Sequence, residues 1–127
     1  MWTGEGESKI LYVQTHGTTD PGRSATPFFL AATAAAMESE VMIYFTMYGP
    51  TLLQRDVVDK IGPKGTVGQP LRYFIEQATG LGVRLLVCQP SLDLNDLAIE
   101  DLIDGVDMIG GAAFNDLAIQ ADAVISF

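Results

Sequence analysis

Five short apolar runs punctuate this chain and set what it can fold into: residues 10–13, 41–45, 83–87, 106–109 and 123–127. Each is bounded by glycine, proline or polar residues, and none is long enough to make a helix of its own. Short runs of this kind read as strands buried on both faces. Helix-like segments lie between them. Thr26 and Pro27 form a helix start, with a threonine cap and a proline at the first helical position, and an Ala-rich stretch runs on through 28–38. A short helix is expected over 52–60. Residues 71–79 place Leu71, Phe74, Ile75 and Ala78 at helical spacing, and Gly80 and Gly82 end that helix. Further helices are expected over 92–103 and 112–121. Strands alternating with helices imply βαβ units, hence an α/β fold with a mainly parallel sheet covered on both faces. Residues 1–8, rich in Gly and Glu, read as a flexible N-terminal tail, and 9–127 as a single domain.

The bulk numbers exclude several classes of function. Seven basic against sixteen acidic residues give 7 − 16 = −9. That balance opposes binding to a phosphate backbone, so no nucleic acid is expected as a partner. It suits a basic protein partner. A single cysteine forms no internal disulfide. The first residues lack the basic start and apolar core of a signal peptide. The longest apolar stretch, 27–37, is interrupted by Thr33 and too short to span a bilayer, so no membrane partner is expected and a reducing cytoplasm is. A mean hydropathy of +0.24 and an Ala-rich helix point to a homo-oligomer.

Cys88 closes the third apolar run and is followed by Gln89, Pro90 and Ser91. In open α/β sheets, chemistry gathers outside the carboxyl ends of the strands, so the one thiol stands where such a fold places working residues. The plainer reading is a small buried hydrophobe. A helix start just beyond it would favour the thiolate, whereas Asp93 and Asp96 would oppose it, and no cation is adjacent. His16, the one histidine, follows the first strand and is a candidate thiol partner; a surface histidine without a role is the alternative. The polar loop around His16 and Gly17 matches no phosphate-binding motif. Tyr48 and Gly49, after the second strand, line the same edge, or simply make a strand-to-helix turn. One His and one Cys without paired spacing make no metal site, and no cofactor is expected. No G-x-S-x-G elbow is present. Glu100, Asp101, Asp104 and Asp107 read as a solvated acidic face.

The ordered set of strands carries a resemblance. It comprises Lys9-Ile-Leu-Tyr-Val-Gln-Thr-His-Gly17, Val41-Met-Ile-Tyr-Phe-Thr-Met-Tyr-Gly-Pro50, Gly82-Val-Arg-Leu-Leu-Val-Cys88, Gly105-Val-Asp-Met-Ile-Gly-Gly111 and Ala121-Asp-Ala-Val-Ile-Ser-Phe127. Over nearly the whole chain from Lys9, this resembles the DsrE/DsrF-like sulfurtransferase family. The resemblance implies a three-layer α/β/α domain assembling into dimers, trimers or hexamers. It implies that Cys88 carries sulfane sulfur, with His16, Gly17, Tyr48, Gly49 and Ser91 bordering its pocket. Rhodanese-like or other carrier proteins would be donor and acceptor. No second cysteine follows in 89–96, so no paired-thiol mechanism is implied. Two rivals stand beside the carrier: a non-catalytic assembly or regulatory subunit with Cys88 buried, and a small-ligand or nucleotide module using the first-strand loop.

Overall fold

A computed structural model describes residues 1–127. Strands β1 (Lys9–Gln14), β2 (Glu40–Phe45), β3 (Arg84–Val87), β4 (Val106–Met108) and β5 (Ala123–Ser126) form one sheet in the order β4-β3-β2-β1-β5. Every pairing is parallel, as the alternating pattern predicts. The helices are α1 (Thr26–Ala36), α2 (Leu71–Gly80), α3 (Gln89–Leu94) and α4 (Gly111–Gln120).

Strand order decides which face each helix covers. From β1 to β4 the chain steps one strand at a time in one direction, then returns across the sheet to place β5 beside β1. Right-handed crossovers therefore put α1 to α3 on one face and α4 on the other. The two cores match this. A cluster of 19 buried residues takes Phe28 and Ala31 from α1, Leu71 and Ile75 from α2, and Leu92 from α3. A smaller cluster of 7 takes Leu117 from α4. Side chains alternate along each strand, so Ile43, Phe45, Leu85 and Val87 join the large core while Met42, Tyr44, Leu86 and Cys88 join the small one.

Helices α2 and α4 match the expected limits to within one residue; the other three differ in more than that. Helix α1 begins one residue early, with Ala25 at the cap, and ends at Ala36. Helix α3 stops at Leu94 instead of running through 92–103. Asp96 takes a left-handed φ of 53°, the Leu97 N–H bonds to the Leu92 carbonyl and the Asp96 N–H to the Asp93 carbonyl. That is a Schellman stop with aspartate where glycine is usual. The helix expected over 52–60 is a 3-10 turn, Gly49–Leu53, followed by irregular turns. Gln54 bridges to Leu102 and the Arg55 N–H bonds to the Asp101 carbonyl, and these long-range bonds replace helical ones.

The first residues are tied to the domain at several points. The Trp2 indole N–H donates to the Leu117 carbonyl, the Thr3 and Gly4 N–H groups to the Glu40 carboxylate, and Arg84 to the Met1 carbonyl. No helix is long and apolar enough to cross a membrane.

Candidate functional site

Cys88 lies one residue beyond β3, at the cap of α3, with extended backbone (φ −117°, ψ 150°). Serine or aspartate commonly fills such a cap; here a thiol does. Pro90 falls in the first turn, where no N–H is required. The register Phe45↔Val87, carried one residue further, sets Thr46 opposite Cys88. Alternation then puts Tyr44 on the same face as Cys88, and both belong to the small core.

The Cys88 Sγ is 2.8 Å from the Ser91 hydroxyl and 3.8 Å from that of Thr46. The Ser91 oxygen accepts the Met47 N–H at 3.0 Å and lies 3.1 Å from the Thr46 hydroxyl. Met47 holds a left-handed φ of 55° to make this contact, a conformation costing about 1–2 kcal/mol for a residue with a Cβ. Asn95 stabilises the turn by donating to the Met47 carbonyl at 2.8 Å and to the Ser91 carbonyl at 2.6 Å. Three segments, from β2, β3 and α3, are thus closed around one sulfur.

Cys88 is 8% exposed. Burial pushes its thiol up, but the polar groups around it, Ser91 first, then Tyr44 and Thr46, outweigh that, and the thiol is held below its ordinary value. The Tyr44 hydroxyl is pushed the opposite way, by burial first and by the neighbouring sulfur second, so it remains a proton donor. Asp93 accepts a hydrogen bond from Gln89 at 2.8 Å.

The other candidates divide into two groups. Ser91 is in direct contact with Cys88. His16 is not among its partners: the ring lies 3.3 Å from the Thr15 hydroxyl and 3.5 Å from Arg23. Strands β1 and β3 are separated by β2, about 10 Å at two strand spacings. The buried Gln14 amide ties the His16 loop down by donating to the His16 and Arg23 carbonyls. Gly17 and Gly49 are close-approach positions. A Cβ on Gly17 would collide with the Tyr48 carbonyl, and one on Gly49 with the Gln14 carbonyl. They let the loops after β1 and β2 pack together. Tyr48, 54% exposed, lines a cavity of about 280 Å³ with Thr18, Thr19, Thr51 and Asn95. The largest cavity, about 570 Å³, lies elsewhere, among Glu5, Glu7, Glu38 and Glu40. Sequence reading missed Tyr44, Thr46 and Asn95. Alternation along the second apolar run could have found the first two, had the register with the third run been known.

Comparison with known proteins adds the following. The model of the DsrE/DsrF-like family matches residues 8–127. A protein named sulfur carrier protein DsrE2, from Allochromatium vinosum, is 29% identical over 154 aligned positions covering 91% of this chain and 96% of that one. Among solved structures, the ychN protein from E. coli superposes with a TM-score of 0.77 at 20% identity, covering 94% of this chain and 99% of that one. MTH1491 from Methanobacterium thermoautotrophicum, described as a protein of unknown function, gives 0.60 at 16% identity, with 94% and 97% covered. At these identities the two structures speak to the fold alone.

Proposed function

This chain belongs to the DsrE/DsrF-like family, and from that premise we propose that it is a sulfur carrier, taking sulfane sulfur onto Cys88 and handing it to a partner protein. One observation carries the reading: at the carboxyl edge of the sheet the thiol is 2.8 Å from a hydroxyl that is itself hydrogen-bonded, an arrangement that favours the thiolate. The thiolate is the form that exchanges sulfur. The name of the Allochromatium vinosum relative points the same way.

In the loading step, the Cys88 thiolate attacks the outer sulfur of a donor persulfide, R–S–SH. The donor's S–S bond breaks and its electron pair leaves on R–S⁻, so Cys88 becomes Cys88–S–SH with no net oxidation. With tetrathionate the same attack expels thiosulfate and leaves a thiosulfonate adduct. Unloading is the reverse, with an acceptor thiolate attacking the outer sulfur. One thiol suffices because donor and acceptor, rhodanese-like or other carriers, supply the rest. The lack of a second cysteine suits a reducing cytoplasm. Exposed Ile119, at 81%, and Val124, at 46%, lie on α4 and β5, and such apolar surface supports a homo-oligomer.

The 8% exposure of Cys88 favours a second reading, an assembly or regulatory subunit in which the cysteine only packs. Iodoacetamide separates the two. The carrier is alkylated in its native state, and Cys88→Ser takes no sulfur from polysulfide while keeping its circular dichroism. A thiol that reacts only after denaturation, or a Cys88→Ser protein that loads fully, overturns the carrier.

A further inference from the structure

The Cys88 sulfur is served by neutral donors alone. Its hydrogen-bond partners are the Ser91 and Thr46 hydroxyls, and the four ion-paired arginines, Arg23, Arg55, Arg72 and Arg84, have their aspartates elsewhere. One contact around Ser91 has a fixed direction, the Met47 N–H donating to its oxygen at 3.0 Å. That oxygen also stands 3.1 Å from the Thr46 hydroxyl, a pair in which either oxygen can donate. A thiolate carries no proton, so across the 2.8 Å contact with Cys88 as thiolate Ser91 is the donor, and Thr46 can then donate to Ser91. Such a chain polarises each successive bond. That orientation serves a negative sulfur, whereas a neutral S–H donating to Ser91 requires the chain reversed, with Ser91 donating to Thr46.

Resting on the carrier reading above, we propose that Ser91, backed by the Met47 N–H and Thr46, is a positioning residue that makes Cys88 a good leaving group, so that the site is built to release sulfur. In unloading, the acceptor attacks the outer sulfur of Cys88–S–SH, the S–S bond breaks, and its electron pair stays on the Cys88 sulfur. A thiolate there can only accept, so Ser91 donates to it. Thiol exchange is faster when the leaving thiol is more acidic, whereas an attacking thiolate loses intrinsic nucleophilicity as its acidity rises. The same hydrogen bond therefore assists departure and restrains attack.

The test compares wild type, Ser91→Ala and Ser91→Thr. The rate of iodoacetamide alkylation against pH gives the thiolate midpoint. It should rise by about one pH unit in Ser91→Ala, the size expected for losing a hydrogen bond to a charged group, and return toward wild type in Ser91→Thr. Above both midpoints, loading from inorganic polysulfide should be up to about threefold faster in Ser91→Ala. Release of the bound sulfur to cyanide, read as thiocyanate, should be slower by a similar factor. In that reaction Cys88–S–SH and CN⁻ give Cys88–S⁻, SCN⁻ and H⁺. An unmoved midpoint, or equal losses of loading and release, overturns the proposal; equal losses without rescue by threonine mark Ser91 as merely structural. If wild type takes up no sulfur, the carrier reading fails and the release role falls with it, while the alkylation profile still measures the hold of Ser91 on the thiolate.

Discussion

At the scale of single residues, the chemistry turns on a thiol whose surroundings are buried yet polar. An inert core cysteine has apolar neighbours and a raised pKa; Cys88 has Ser91 and Thr46 and a lowered one. A consequence for stability follows. An acidic group whose folded pKa is depressed contributes stability that is present above its unfolded value, about 8.5, and lost as pH falls through the folded value. The gap in urea midpoint between wild type and Cys88→Ser should therefore widen as pH is raised from 6 toward 9. A gap that stays constant or narrows would show that folding does not favour the thiolate. Cys88 was legible in the sequence because it ends an apolar run. Its partners Tyr44 and Thr46 were not, because they meet it only through the register of β2 against β3. His16 was a reasonable thiol partner by its position after β1, but β2 lies between β1 and β3, and Gln14 fastens the His16 loop to the Arg23 segment.

At the scale of elements, the site depends on loops held in close register. Gly49 abuts the Gln14 carbonyl, and Gly17 the Tyr48 carbonyl. Gly49→Ala should force the loop after β2 away from β1, lowering the unfolding free energy by about 1–3 kcal/mol, the usual cost of overpacking. Because Met47 lies in that loop and donates to Ser91, the alkylation rate at neutral pH should fall as well. Thermal unfolding and alkylation together check this, and a variant as stable and as reactive as wild type would contradict it. Strands were readable from sequence because short apolar runs have few alternatives. Helix ends were less so. Gly82 stops α2 as glycine should, but Asp96 and Glu38 stop α3 and α1 from left-handed positions that favour glycine. The turns after Leu53 follow from bonds to Asp101 and Leu102, which no local pattern announces.

For the whole molecule, the reversal of direction after β4 leaves the face bearing Cys88 covered by one helix. Of α4, only Leu117 is buried, and Ile119 faces outward. Association through this thin layer is the expected way to cover it. Sedimentation or light scattering should give a mass that is a multiple of 13.6 kDa, and Ile119→Glu should reduce it; a monomer at micromolar concentration would contradict the expectation. Intact mass spectrometry of the native protein after exposure to polysulfide or tetrathionate, followed by peptide mapping, tests the central claim most directly. A reducible sulfur or thiosulfonate adduct confined to Cys88 is the predicted result. No adduct, with Cys88 also unreactive to iodoacetamide until the protein is unfolded, would make it a packing residue and contradict the carrier role.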